Sequence, residues 1–74
     1  MTIRDLLENG IQIQGSFNIR VWDRGKEETT EEIRGEDFEG SVYEINDKIL
    51  DEMEITFMYA EGGEIIIEVA EEEE

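Results

Sequence analysis

Residues 54–70 read Glu54-Ile55-Thr56-Phe57-Met58-Tyr59-Ala60-Glu61-Gly62-Gly63-Glu64-Ile65-Ile66-Ile67-Glu68-Val69-Ala70, and this stretch decides the fold. Ile55, Phe57 and Tyr59 alternate with Thr56 and Met58, and after the glycines Ile65, Ile67 and Val69 alternate again. A period of two among β-branched and aromatic residues is the signature of a strand. The glycine pair between the runs supplies the positive φ angles of a tight hairpin turn. The reading is a β-hairpin, partly apolar on both sides because Met58 and Ile66 fall opposite the main alternation. A second layer or a protein partner would account for such a face.

Upstream, Ile11, Ile13, Phe17, Ile19 and Val21 alternate with Gln12, Gln14, Asn18, Arg20 and Trp22. The register passes through Gly15, so either one long strand bends there or two shorter strands meet. Residues 23–26 form a turn around Gly25, and residues 28–34 read as a polar strand whose charges suit a sheet edge. Residues 35–40 are a loop anchored by Phe38. Residues 41–51 fit two patterns. Val42, Ile45 and Ile49 share one helical face behind a Ser41 cap, while Val42, Tyr43 and Ile45 fit a short strand before an Asn46-Asp47 turn and one helical turn. The turn-forming Asn-Asp pair favours the second.

The opening residues change period. Ile3, Leu6 and Leu7 have helical spacing, Thr2 and Asp5 match a capping box, and Asn9-Gly10 supplies a left-handed stop. Two turns are too short to stand alone, so this helix must dock on the sheet. The expected fold class is α+β: a short N-terminal helix packed on a mostly antiparallel four- to five-stranded sheet that ends in the C-terminal β-hairpin. One domain spans residues 1–70, and residues 71–74 form a disordered acidic tail.

The chain has 74 residues with 22 acids, six bases and a net charge of −16, and it lacks His, Cys and Pro. Without His or Cys there is no thiol nucleophile, no imidazole base, no disulfide and no ordinary zinc site. The glycines match neither phosphate-binding loop spacing, and no EF-hand pattern organises Glu36, Asp37 and Glu39. Paired carboxylates carry no information when 22 acids are available. The expectation is a non-enzymatic protein with no cofactor and no metal. No apolar run is long enough to span a membrane, and residues 1–9 alternate too closely for a secretory leader. A cytoplasmic location follows.

The charge is unevenly placed. Residues 1–27 sum to zero, residues 28–48 to −6 and residues 49–74 to −10. Such a chain repels nucleic acid and anionic lipid, so its charged partner would be a basic protein. The candidate contacts are Glu31, Glu32, Glu36, Asp37 and Glu39, together with Asp51, Glu52 and Glu54. Carboxylates held on a sheet could imitate phosphates in the basic groove of a nucleic-acid-binding protein or nuclease, whereas the rival reading of the same acidity is solubility. Trp22, flanked by Arg20 and Arg24, carries an interface reading as an aromatic-plus-arginine hot spot. Its structural alternative is cover for the second sheet face or stacking beneath an arginine stem.

The segments Thr2-Ile3-Arg4-Asp5-Leu6-Leu7-Glu8, Ile13-Gln14-Gly15, Arg20-Val21-Trp22-Asp23, Tyr59-Ala60 and Ile66-Ile67-Glu68-Val69 resemble small acidic proteins of phage and prophage origin. In size and charge alone the chain is similar to phage inhibitors of host defence nucleases, the anti-CRISPR proteins among them. The resemblance implies an inhibitory interaction protein acting on a basic host protein. The alternative is a small accessory domain, acidic for solubility, that forms a homodimer through sheet edges or the Met58/Ile66 face.

Overall fold

The computed structural model describes residues 1–11, 13–37 and 45–71. Six elements follow in order: α1 (Ile3–Glu8), β1 (Ser16–Asp23), β2 (Glu28–Glu36), α2 (Asp47–Asp51), β3 (Met53–Glu61) and β4 (Glu64–Glu71). The strands form one sheet in the order β2-β1-β4-β3. The α+β class is therefore observed, with four strands in a mixed sheet. The expected antiparallel character holds for both hairpins, but β1 and β4 pair in parallel at the centre. Two antiparallel hairpins lie side by side, and the connection carrying α2 leads from one edge of the sheet to the other.

The capping box of α1 is complete. The Asp5 N–H donates to Thr2 Oγ1 at 3.2 Å and the Thr2 N–H donates to Asp5 Oδ2 at 2.9 Å. Each bond satisfies a donor that the first helical turn would leave unpaired. Asn9 caps the other end and Gly10, at φ 72°, turns the chain away. In α2 the Asn46 side chain accepts from the Lys48 N–H at 2.8 Å and caps the single helical turn expected through Leu50, which begins at Asp47 and runs to Asp51. The Val42/Tyr43 strand, the Ser41 cap of the alternative helical reading and the Phe38 anchor lie outside the described residues.

Gly15 departs from both expected arrangements, a bend within one long strand or the meeting of two shorter ones. With φ at 92° it redirects the chain, and β1 begins only at Ser16. Its carbonyl accepts from the Asp37 N–H at 3.0 Å, which ties the start of β1 to the end of β2. Ile13 nevertheless enters the core from this loop, whereas Ile11 is exposed. The β2 strand extends past Arg34 through Gly35 to Glu36, and Glu71 belongs to β4 instead of a tail, opposite Met53.

One face of the sheet is covered. Phe17, Ile19 and Val21 of β1 lie beside Ile65, Ile67 and Val69 of β4, and Ile3, Ile49, Leu50 and Met53 complete the core with them. Phe17, Ile19, Ile67 and Val69 are essentially inaccessible, and burial of each such side chain stabilises by about 1.5–3 kcal/mol relative to exposure. The opposite face has no helix among the described residues. Its central row contains Asn18 beside Ile66, both buried.

Neither polar atom of the Asn18 side chain has a hydrogen-bond partner among the described residues. A buried, unsatisfied amide costs more than the apolar group that could replace it. Asn18→Val is expected to stabilise the protein by about 1–3 kcal/mol, read as a higher urea midpoint with unchanged slope; an unchanged or lowered midpoint would mean that the amide is satisfied. At the helix, Thr2→Ala is expected to cost about 1 kcal/mol at neutral pH. The Asp5 carboxyl is held below its ordinary value of 3.8, first by the Thr2 backbone N–H, against the opposing effect of burial, and then by the Thr2 hydroxyl and the chain amine. A depressed carboxyl stabilises the fold above its unfolded value and loses that effect as pH falls through the folded one. Thr2→Ala keeps that backbone N–H and removes only the lesser share of the hydroxyl, so the gap between wild type and variant should narrow slightly in urea titrations carried below pH 3.8.

Candidate interaction surfaces

The two edges of the sheet have opposite chemistry. β2 carries Glu28, Glu31, Glu32 and Glu36 and continues into Asp37, all exposed. Its pairing alternates these between faces: Glu31 lies beside Val21 on the helix side, while Glu32 lies beside Arg20 on the open side. Glu27, in the turn before β2, and Asp37, just after it, both have positive φ, near 53° and 54°. In the turn the Asp23 carboxylate accepts from the N–H groups of Gly25 and Lys26 at 2.8 and 3.0 Å, so Asp23 organises this hairpin and Gly25 needs no positive φ.

β3, at the other edge, has no charged residue from Ile55 to Ala60. Phe57, Met58 and Tyr59 are 64, 46 and 37% exposed. A shift in pairing between Ile55 and Phe57 leaves Thr56 as an extra residue, whose hydroxyl donates to the Glu68 carbonyl at 3.1 Å. Such a bulge changes the side to which the following residues point. Ile55 sits beside Val69 on the helix side, but Phe57 and Tyr59 sit beside Glu68 and Ile66 on the open side, and Met58 returns to the helix side beside Ile67. Met58 and Ile66 therefore do not share a face, and Ile66 is buried. The dimer surface expected from that pair does not exist, because Thr56 breaks the alternation on which it rested.

Among the acids expected to meet a partner, Glu31, Glu32, Glu36 and Asp37 gather along β2, while Asp51, Glu52 and Glu54 lie at the end of α2 and the start of β3, the far edge. Glu39 lies outside the described residues. Several of these acids are already engaged. Arg20 Nε lies 3.1 Å from Glu32, without the alignment of a hydrogen bond. Arg4 holds Asp51 at 2.7 Å, the chain amine holds Glu54, and Gly15 donates to Asp37 at 3.4 Å. Glu28, Glu31 and Glu52 have no ion pair among the described residues.

Trp22 is half-buried on the open face, away from Phe17, Ile19 and Val21, beside Ala70 and Thr29. It lines a shallow depression of about 230 Å³ with Arg24, Thr56, Phe57 and Glu68. Nearby, Arg20 donates to the Tyr59 hydroxyl at 3.1 Å, reaching across β4 from β1 to β3. Arg34 reaches from β2 past β1 to Glu64 on β4 at 3.6 Å. Arg20 and Arg34 pair with groups on neighbouring strands of this face, Arg20 with Glu32 and the Tyr59 hydroxyl and Arg34 with Glu64. The open face thus uses its cations internally, a feature that only cross-strand pairing makes visible.

Among the described residues no group of three or more carboxylates is arranged to hold a metal ion, and no helix is long and apolar enough to cross a membrane. No protein-family model, curated protein or solved structure matches the chain. Its surfaces must be interpreted from their own chemistry.

The ion pairs are solvent-exposed, and each such pair contributes about 0–1 kcal/mol. Against them stands the mutual repulsion of a chain with a net charge of −16. Added salt screens both, but the repulsion involves far more charges. The melting temperature is expected to rise between about 0.02 and 0.5 M NaCl. A fall over that range would mean that the pairs outweigh the repulsion.

Proposed function

We propose that this chain is a non-enzymatic interaction protein that binds a basic protein surface through the carboxylates of β2. The observation that carries this reading is the disposition of that strand. It stands at a sheet edge with Glu28 and Glu31 exposed and without ion pairs among the described residues. Four of the six bases, Arg4, Arg20, Arg34 and Lys48, are meanwhile held in intramolecular ion pairs. What remains for a partner is surplus negative charge on a rigid support, which steers and orients a positively charged surface.

Magnitude narrows the kind of partner. The described residues sum to −11 along a molecule 32 Å in its longest dimension. That is roughly one charge per 3 Å, sparser than the roughly 1.7 Å per charge of a DNA duplex. The acids also divide between two edges of the sheet. This favours a local cluster of Lys and Arg on the partner over a groove shaped to a whole duplex. A nuclease or another nucleic-acid-binding protein of a phage host, the partner class implied by the resemblance, offers such clusters at its rim.

The test is capture from a host lysate on the immobilised chain at low salt, followed by elution through about 0.3 M NaCl and identification of what is released. A basic protein is expected to bind and to elute with salt, and the Glu28→Gln/Glu31→Gln double variant should retain several-fold less of it. Retention of nothing basic at any salt, or equal retention by the variant, would remove β2 from this role.

A further inference from the structure

We propose that β3 is a strand-addition edge that takes an extended segment of a partner protein, apolar at alternate positions and basic where it meets Glu61. This edge lies across the sheet from β2, and what it binds is independent of anything β2 holds.

An edge strand offers a row of backbone donors and acceptors, and proteins ordinarily protect it with charge, proline, a bulge or a covering element. β2 is protected in this way by its glutamates along its length. β3 is protected only towards its ends, by Glu54 and the bulge at Thr56 on one side and Glu61 on the other; from Phe57 to Ala60 it has neither charge nor proline nor a break in pairing. Its outer side has no strand neighbour among the described residues. One contact does occupy that edge, since the Ile55 N–H donates to the Met1 carbonyl at 2.7 Å. A backbone carbonyl thus already accepts from the outer side of this strand. Residues 56–61 have no such backbone partner on that side among the described residues, with Phe57 and Tyr59 on one face and Met58 on the other. Main-chain hydrogen bonds would supply affinity and these alternating side chains would supply selectivity.

Charge selects the occupant. Glu61 is paired directly with Glu64 across the hairpin, and like charges so placed repel. Arg34 lies 3.6 Å from Glu64, but Glu61 has no ion pair among the described residues. A Lys or Arg at the matching position of an added strand would relieve this repulsion. A second copy of this chain would bring a further charge of −16 instead, which makes self-addition the poorer occupant.

The probe is a short peptide of alternating valine and threonine with two lysines at each end, titrated into the 15N-labelled chain. A control peptide of the same charge carries proline in place of the threonines. The first peptide is expected to shift the amide signals of residues 56–61 and leave those of β2 in place, while the control shifts neither. Met58→Lys, which puts a guarding charge on this edge, should weaken binding at least about tenfold while leaving the β1 and β4 signals unmoved. Glu61→Gln should weaken it less and reduce its salt dependence. Equal shifts from both peptides, shifts confined to β2, or binding unchanged in Met58→Lys would overturn the proposal. So would a wild-type dimer in sedimentation that Met58→Lys dissociates, because a second copy would then be the occupant.

Discussion

The parallel pairing of β1 with β4 is the contact on which the rest of the structure depends. Phe17 lies beside Ile65, Ile19 beside Ile67 and Val21 beside Val69. A lone hairpin is at best marginally stable in water, and each half of this chain supplies only one. Joined at the centre they form a single apolar face wide enough for α1 and α2 to cover. The helices, of six and five residues, are too short to persist without it. The same joining leaves β2 and β3 on the outside, so the core and the surfaces offered to partners follow from one pairing.

That geometry gives the molecule an uneven exterior. One edge is guarded by glutamates and the other is uncharged along its middle. One face of the sheet is covered by helices, and the other carries Arg20 and Arg34 paired across strands with Glu32, Tyr59 and Glu64. With only six bases available, using several of them to hold Glu32, Glu64 and Asp51 leaves the carboxylates elsewhere uncompensated. Stability and binding therefore draw on the same few cations, and the acidity of the remaining surface follows from that shortage.

Much of the local structure was legible in the residues themselves. The Thr2/Asp5 capping box, the Asn9-Gly10 stop and the Gly62-Gly63 turn, with φ of 57° and 80°, are interactions between near neighbours, and near neighbours are what a sequence displays. Trp22 was likewise placed opposite Phe17, Ile19 and Val21 by simple alternation. The bulge at Thr56 was not legible, because threonine fits either side of a strand and nothing nearby signals an extra residue. That one residue separates Met58 from Ile66 and dissolves the apolar face they were expected to share. Gly15 was recognised as a break, but whether it bends a strand or precedes one depends on Asp37, which bonds to its carbonyl from far along the chain.

By itself, then, the sequence determined the two hairpins, the capped first helix, the surplus of negative charge and the absence of thiol and imidazole chemistry, since these depend on composition or on contacts within a few residues. Only the tertiary structure decided that the hairpins meet through parallel strands, that the acids divide between two edges, and that β3 rather than the Met58/Ile66 pair is the exposed apolar feature. Strand order and bulges are settled by which distant residues bury one another best, and no local pattern encodes that comparison.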